Sequence, residues 1–218
     1  MNQSIAVLFD MDGVIADTNR YHKECIHLFC EKHGLQLSEE DMKQRVYGRT
    51  NRDWLTNLFG TIPAEKIAVY ADEKEQLFRE VYAPYLKPVA GLPEFLEALE
   101  RNNIPKAIAT SAPPANVDFV VDGTGIRNYF NTILDERMVS RGKPDPEIYL
   151  KTAQALGFPN EQCIVIEDSL SGVEAGQRAG SKVIGITTTH SREELAHCDL
   201  VIDNFHDMTI EKLRSLMP

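Results

Sequence analysis

Long apolar runs are missing from this chain of 218 residues. No stretch approaches the roughly 20 consecutive apolar residues that a membrane-spanning helix needs. The short apolar run near the N-terminus lacks the basic flank and small-residue cleavage site of a secretory signal. A cytoplasmic protein that does not engage a membrane is the expectation. Cysteine is scarce and scattered, at Cys25, Cys30, Cys163 and Cys198, which suits reduced thiols and excludes a disulfide-stapled fold. Basic charge is also short: 23 Lys and Arg against 33 Asp and Glu give a formal net charge of −10. With no basic run to offset it, a broad nucleic-acid-binding surface is excluded. A phosphorylated substrate is not, because a metal ion and a few lysines can reverse the field inside one cleft. Low-complexity segments and internal repeats are absent.

What is present is an ordinary globular composition, 43% apolar and 26% charged, enough to bury a core without staples. From Gly91 onward strand-like and helix-like segments alternate. Residues 93–102 are amphipathic, with Pro93 suited to a first helical turn. Residues 106–111 (KAIATS) form a short strand ending in hydroxyls, 115–122 a helix and 132–134 another strand. Residues 146–156 read as a helix stopped by Gly157. The apolar strand 163–166 ends in Glu167-Asp168; a small-residue helix over 171–179, strands over 182–187 and 199–202, and a helix over 209–216 complete the series. This alternation predicts an α/β fold, a Rossmann-like parallel sheet with helices on both faces.

Residues 18–88 break the rhythm. They carry only helical patterns, roughly 20–33, 39–46, 51–59 and 64–82, before Pro84, Pro88 and Gly91 punctuate the return to strands. The reading is a core of residues 1–17 and 89–218, with a helical cap of residues 18–88 inserted after the first strand and lying over the strand ends.

The first strand, Ile5 to Phe9, stops in Asp10-Met11-Asp12-Gly13. Residues i and i+2 of an extended chain point the same way, so both carboxylates can face one crevice at the carboxyl end of the sheet, where such folds bind ligands. Taken alone the pair is equally a polar turn. Taken with chemistry, it suggests Mg²⁺ binding, acid–base work or a carboxylate nucleophile. Three more pieces fall at strand ends or adjoining loops. Thr110 and Ser111 offer a hydroxyl and backbone N–H groups to phosphate oxygens. Lys143, in RGKPDP, offers a point charge, and Glu167 and Asp168 offer hard oxygen ligands. Each has a bland alternative: a cap, a solvated lysine, a helix start.

Together, FDMDGVIADT (9–18), ATS (109–111), GKPDP (142–146) and IEDSLSG (166–172) resemble the motifs of the haloacid dehalogenase superfamily. The insert directly after the first motif resembles the C1-capped subfamily, which includes β-phosphoglucomutase and phosphoglycolate-type phosphatases. The resemblance implies that Asp10 attacks phosphorus and forms an aspartyl-phosphate, and that Asp12 serves as acid and then base. It implies a Mg²⁺ ion held by Asp10, the backbone carbonyl of Asp12 and Asp168, with Glu167 either a ligand or a neighbour of the ligands. Thr110, the amide of Ser111 and Lys143 would grip the non-bridging phosphate oxygens.

In the insert, the resemblance points to His22 at the hinge and to Arg49, Arg52 and Lys74, within Gly48-Arg49-Thr50-Asn51-Arg52 and Asp72-Glu73-Lys74-Glu75, as substrate contacts. Lys74 is equally read as part of a solvated helix face. Where the mutases of the subfamily carry Ser-Lys-Asn after the second motif, this chain has Ala112-Pro113-Pro114. Losing polar contacts to a second phosphate tilts the expectation toward a Mg²⁺-dependent phosphohydrolase of a small phosphorylated metabolite, a sugar phosphate foremost, acting as a monomer. The alternatives are a β-phosphoglucomutase-like isomerase, for which Arg49, Arg52 and Asn116 would supply a different second-phosphate site, and a catalytically silent binding module. The cluster His22, Cys25, His27, Cys30, His33 is set aside as a zinc site, since its helical face spans about 16 Å.

Overall fold

The computed structural model describes residues 4–47 and 49–217. It divides into two compact units, Met1–Asp17 with Leu86–Pro218, and Thr18–Tyr85.

The first unit is built on six parallel strands: β1 (Ala6–Phe9), β2 (Lys106–Ala109), β3 (Ile133–Leu134), β4 (Cys163–Glu167), β5 (Lys182–Ile186) and β6 (Leu200–Ile202). Their order is β3-β2-β1-β4-β5-β6, so the chain reverses its direction of travel on either side of β1. That is the switch point at which open parallel sheets form a crevice. β1 and β4 are wholly buried, which is why both read as continuous apolar runs rather than alternating ones.

Alternation along β1 sends neighbours to opposite faces. Leu8 packs with Tyr149 and Ala153 of one helix (Glu147–Leu156) and Val173 and Ala175 of another (Leu170–Arg178). Phe9 points the other way, with ring centroids 6.2 Å from Phe95, 5.6 Å from Phe130 and 6.2 Å from Phe205. Helices therefore cover both faces of a Rossmann-like α/β core.

The second unit is wholly helical: α1 (Asn19–Lys32), α2 (Glu39–Arg45), α3 (Asn51–Phe59) and α4 (Ala64–Tyr82). Ser38 starts α2 with a capping box, its side chain accepting from the Asp41 amide, and Thr50 does the same for α3 through Asp53. Phe29, Met42, Trp54 and Leu55 form its interior. The remaining core helices are α5 (Leu92–Arg101), α6 (Pro114–Gly123), α7 (Glu147–Leu156), α8 (Leu170–Arg178) and α9 (Ile210–Ser215). Among the described residues, no helix is long and apolar enough to cross a membrane.

Candidate active site

β1 ends at Phe9, one residue before the first aspartate, and the Asp10 amide still donates to the Ile166 carbonyl of β4 (3.0 Å). The strand alternation that suggested a shared crevice does not extend to Asp12. A tight turn brings it round instead: the Ile15 amide donates to Met11, and the Gly13 amide to Ala16 (2.7 Å). Gly13 sits at φ 80°, a conformation that favours glycine. Asp10 is buried while Asp12 is partly open. Asp12 still acts on Asp10 through space, adding to the forces that keep it protonated.

Lys143 reaches this strand end from the loop before α7. Its Nζ donates to Asp10 Oδ1 (2.5 Å) and to Glu167 Oε1 (2.6 Å). Tyr149, buried on α7, donates its hydroxyl to the same Glu167 oxygen at 2.7 Å, and its ring lies 5.0 Å from the ammonium. The other Glu167 oxygen accepts from the amides of Asp168 (3.0 Å) and Ser169 (3.1 Å) and from the Ser169 hydroxyl (3.0 Å). Both carboxylate oxygens are thus engaged by the protein. A Cβ on Gly172 would lie 1.7 Å from Glu167 Oε1, so only glycine fits where the first turn of α8 passes this carboxylate. Asp168, also buried, accepts from the Thr189 hydroxyl.

Of the second motif, Thr110 is buried and its Oγ1 accepts from the Ala112 amide (3.1 Å), while Ser111 is exposed. α6 begins at Pro114 with Pro113 as its cap, so two successive residues of that loop lack an N–H. Asn116, on the first turn of α6, is buried at 1% exposure.

The electrostatics follow from burial. Desolvation pushes Asp10 up to about 8; Lys143 opposes this, and Glu167 and Asp12 reinforce it. Burial also disfavours charge on Lys143, but Asp10 and Glu167 hold its ammonium well above the usual lysine range. Burial likewise opposes ionisation of Glu167, yet Lys143 and the donors around it keep that carboxyl below its ordinary value. Asp168 is driven well upward by burial, then by Glu167 and Asp10. Three carboxylates face one ammonium, a formal excess of two negative charges. One oxygen from each of Asp10, Glu167 and Asp168 lies within 4.8 Å of the others. A hard, all-oxygen set with that deficit fits a divalent cation. Among the described residues it is the one cluster of three or more His, Cys, Asp or Glu arranged to hold a metal ion.

The residues singled out in the helical unit divide in two. His22 stacks on Phe78 (centroids 3.8 Å apart), and its Nδ1 lies 2.9 Å from Lys74 Nζ. Lys74 is 4% exposed and donates to Glu75 Oε1 at 2.8 Å, so the solvated-face reading fails at Lys74 and Glu75, while Asp72 is exposed as it expects. Asn51 also donates to Glu75 Oε1 (2.9 Å) and accepts from Trp54 Nε1 (2.9 Å). Arg49 and Arg52 stand apart, exposed, with Arg49 bonded to the Gln44 carbonyl (2.8 Å). Gly48, which precedes them, lies outside the described residues. Cys25 and Cys30 are buried, while His27 and His33 bond Tyr47 and Glu73. The three histidines are thus engaged by separate partners, and the two cysteines lie in the interior.

A family model described as "Haloacid dehalogenase-like hydrolase" matches residues 7–186. The chain belongs to that family. The "Phosphorylated carbohydrates phosphatase" of Thermotoga maritima is 32% identical over 183 residues, covering 83% of this chain and 84% of that one. The "Beta-phosphoglucomutase" of Bacillus subtilis is 29% identical, covering 95% and 93%. Among solved structures, a family IA, variant 3 hydrolase from Entamoeba histolytica superposes with a TM-score of 0.90 at 34% identity, covering 97% and 98%. The chain spans 57% of the length of one curated relative and 84% to 94% of others. Within the family it is an enzyme whose named relatives include several phosphatases.

Proposed function

We propose that the protein hydrolyses a small phosphorylated metabolite, a sugar phosphate foremost, with Mg²⁺ and through an aspartyl-phosphate on Asp10. The observation that carries this reading is the buried, under-neutralised cluster of Asp10, Lys143, Glu167 and Asp168 at the carboxyl ends of β1 and β4. Asp10 attacks phosphorus, and the bond to the leaving oxygen breaks as Asp12 gives that oxygen its proton. Asp12, now a carboxylate, takes a proton from water, which attacks the acyl phosphate; orthophosphate leaves and Asp10 is regenerated. Thr110, the Ser111 amide and Lys143 hold the non-bridging oxygens. Asp10, the Asp12 carbonyl and Asp168 are the ligands we assign to Mg²⁺, which when bound supplies the positive charge that the cluster lacks. Because both oxygens of Glu167 are engaged, we assign it to holding Lys143 and the Asp168 turn rather than to direct ligation.

Substrate choice we assign to a helical cap of residues 18–88, with His22, Arg49, Arg52 and Lys74 as candidate contacts. A mutase of the β-phosphoglucomutase kind uses the same core, and a relative at 29% identity bears that name. Ala112-Pro113-Pro114 supports water as the acceptor instead, since that segment brings neither polar side chains nor proline N–H groups to a second phosphate. The test is hydrolysis of p-nitrophenyl phosphate in Mg²⁺ buffer, followed by β-glucose 1-phosphate. Free glucose with orthophosphate supports the reading, and glucose 6-phosphate overturns it. Turnover that survives exhaustive chelation would remove the metal.

A further inference from the structure

Three consecutive threonines follow β5, and each hydroxyl is given to a segment leaving a different strand. Thr187 Oγ1 donates to Asp203 Oδ1 (2.8 Å) beyond β6. Thr188 Oγ1 donates to the Gly13 carbonyl (2.6 Å) in the turn that carries Asp12. Thr189 Oγ1 donates to Asp168 Oδ2 at the end of β4. In the sheet β5 lies between β4 and β6, with β1 on the far side of β4. The loop after β5 therefore reaches across one strand to touch the Asp12 turn and binds its immediate neighbour at Asp168.

A carboxylate contributing to a cation site must hold its plane, because side-chain rotation moves its oxygens by more than a hard ion's ligand distances tolerate. The Glu167 carboxylate fixes where Asp168 begins, accepting from its amide (3.0 Å). The Thr189 hydroxyl acts on the other end of the residue, at the carboxylate itself. Thr188, bonded to Gly13 one residue before it, anchors the segment from which that hydroxyl is delivered.

Resting on the reading of Asp168 as a cation ligand, we propose that Thr189 is a positioning residue for the metal-binding edge of the site, holding the Asp168 carboxylate in its ligating orientation. Thr187 is the internal control, with the same side chain in the same loop and a similar bond, directed to Asp203, which is exposed and outside the cluster.

The experiment is Mg²⁺ titration of the purified, chelator-stripped protein by isothermal calorimetry, beside its Thr189→Val, Thr189→Ser and Thr187→Val variants. Circular dichroism and thermal melts of each accompany the titrations. T189V should weaken Mg²⁺ binding about tenfold or more; T189S should restore it to within about threefold, and T187V should stay within about twofold of the parent. Steady-state assays should show T189V needing proportionately more Mg²⁺ for half-maximal rate and regaining most of its turnover at saturation. If T189V binds Mg²⁺ like the parent, or T187V weakens binding as much as T189V does, the proposal is overturned while the catalytic reading stands. If the parent itself does not bind Mg²⁺, the catalytic reading fails first and takes this one with it.

Discussion

Two lysines with buried ammonium groups, Lys74 in the helical unit and Lys143 in the sheet unit, sit in opposite electrostatic surroundings. Lys74 in the helical unit meets one carboxylate, Glu75, whose Oε1 is also bound by Asn51. Burial favours the neutral acid there, but Lys74, His22 and the hydrogen bonds more than offset it, leaving Glu75 below its ordinary value. Lys143 in the sheet unit meets Asp10 and Glu167 with Asp168 beside them, and two of those three carboxyls are pushed up rather than down. A balanced buried pair is a structural element, whereas an under-neutralised cluster stores repulsion that a cation relieves. The same residue types thus make a strut in one place and, on the proposed reading, a reaction centre in the other.

The comparison is broken most severely by removing one carboxylate from each side. Asp10→Asn should lower the rate on p-nitrophenyl phosphate by more than about 10³-fold, because the proposed nucleophile is gone. In chelator and above about pH 8, where the parent's Asp10 carries its charge, its melting temperature should equal or exceed the parent's, since a buried negative charge has left the cluster. Glu75→Gln should do the reverse and cost roughly 3 kcal/mol by leaving Lys74 buried without its counter-charge. The paired change Lys74→Met with Glu75→Leu should recover most of that in urea denaturation. If D10N destabilises the stripped protein as much as E75Q does, the two clusters are alike and the distinction fails.

The pH dependence sharpens the contrast through its sign. Asp10, raised to about 8, binds a proton in the folded state that the unfolded chain has lost above roughly pH 4. Metal-free stability should therefore be greatest at low pH and fall as pH rises toward 8, with Asp168 adding in the same direction. Glu75 is depressed, so its contribution is full above the ordinary carboxylate range and is lost as pH falls through and below about 4. Urea midpoints across pH 5 to 8.5 should slope downward in EDTA and flatten in saturating Mg²⁺. A level profile in EDTA would contradict the charge excess.

Much of this was legible in the chain. The helical patterns over 51–59 and 64–82 match α3 and α4 end to end, because both are amphipathic and bounded by a capping threonine or a proline. β4 and β1 read as buried strands because both of their faces are covered. The partners were not legible. Lys74 lies in a run of charges whose pattern says surface, and its partners, His22 directly and Asn51 through Glu75, are brought alongside only when α1 and α3 pack on α4. Tyr149 falls inside the helix expected over 146–156 and Thr189 just past the strand expected over 182–187, and no motif marks either one. Their hydroxyls acquire a purpose only once α7 and the loop after β5 arrive at the end of β4. Asp12 shows the limit of alternation as a guide, since the strand it was attached to stops at Phe9.

The finest test removes one hydrogen-bonding group from each lysine's carboxylate. Tyr149→Phe keeps the ring near Lys143 and deletes only the hydroxyl on Glu167 Oε1, an oxygen that Lys143 still occupies at 2.6 Å. The acceptor stays charged and bonded, so the cost should be about 1 kcal/mol, with turnover lowered a few-fold. Asn51→Leu strips more from the helical unit, a donor to Glu75 and the acceptor for Trp54 Nε1 together. It should cost about 2 kcal/mol, because the indole N–H is buried with its partner removed. Turnover should distinguish the pair where stability does not. Y149F acts on the carboxylate that holds Lys143 beside Asp10, the proposed nucleophile, so its loss should fall on kcat. If Y149F left kcat intact while costing more stability than N51L, Tyr149 would be a strut like Asn51, and the functional line between the two lysines would have to be redrawn.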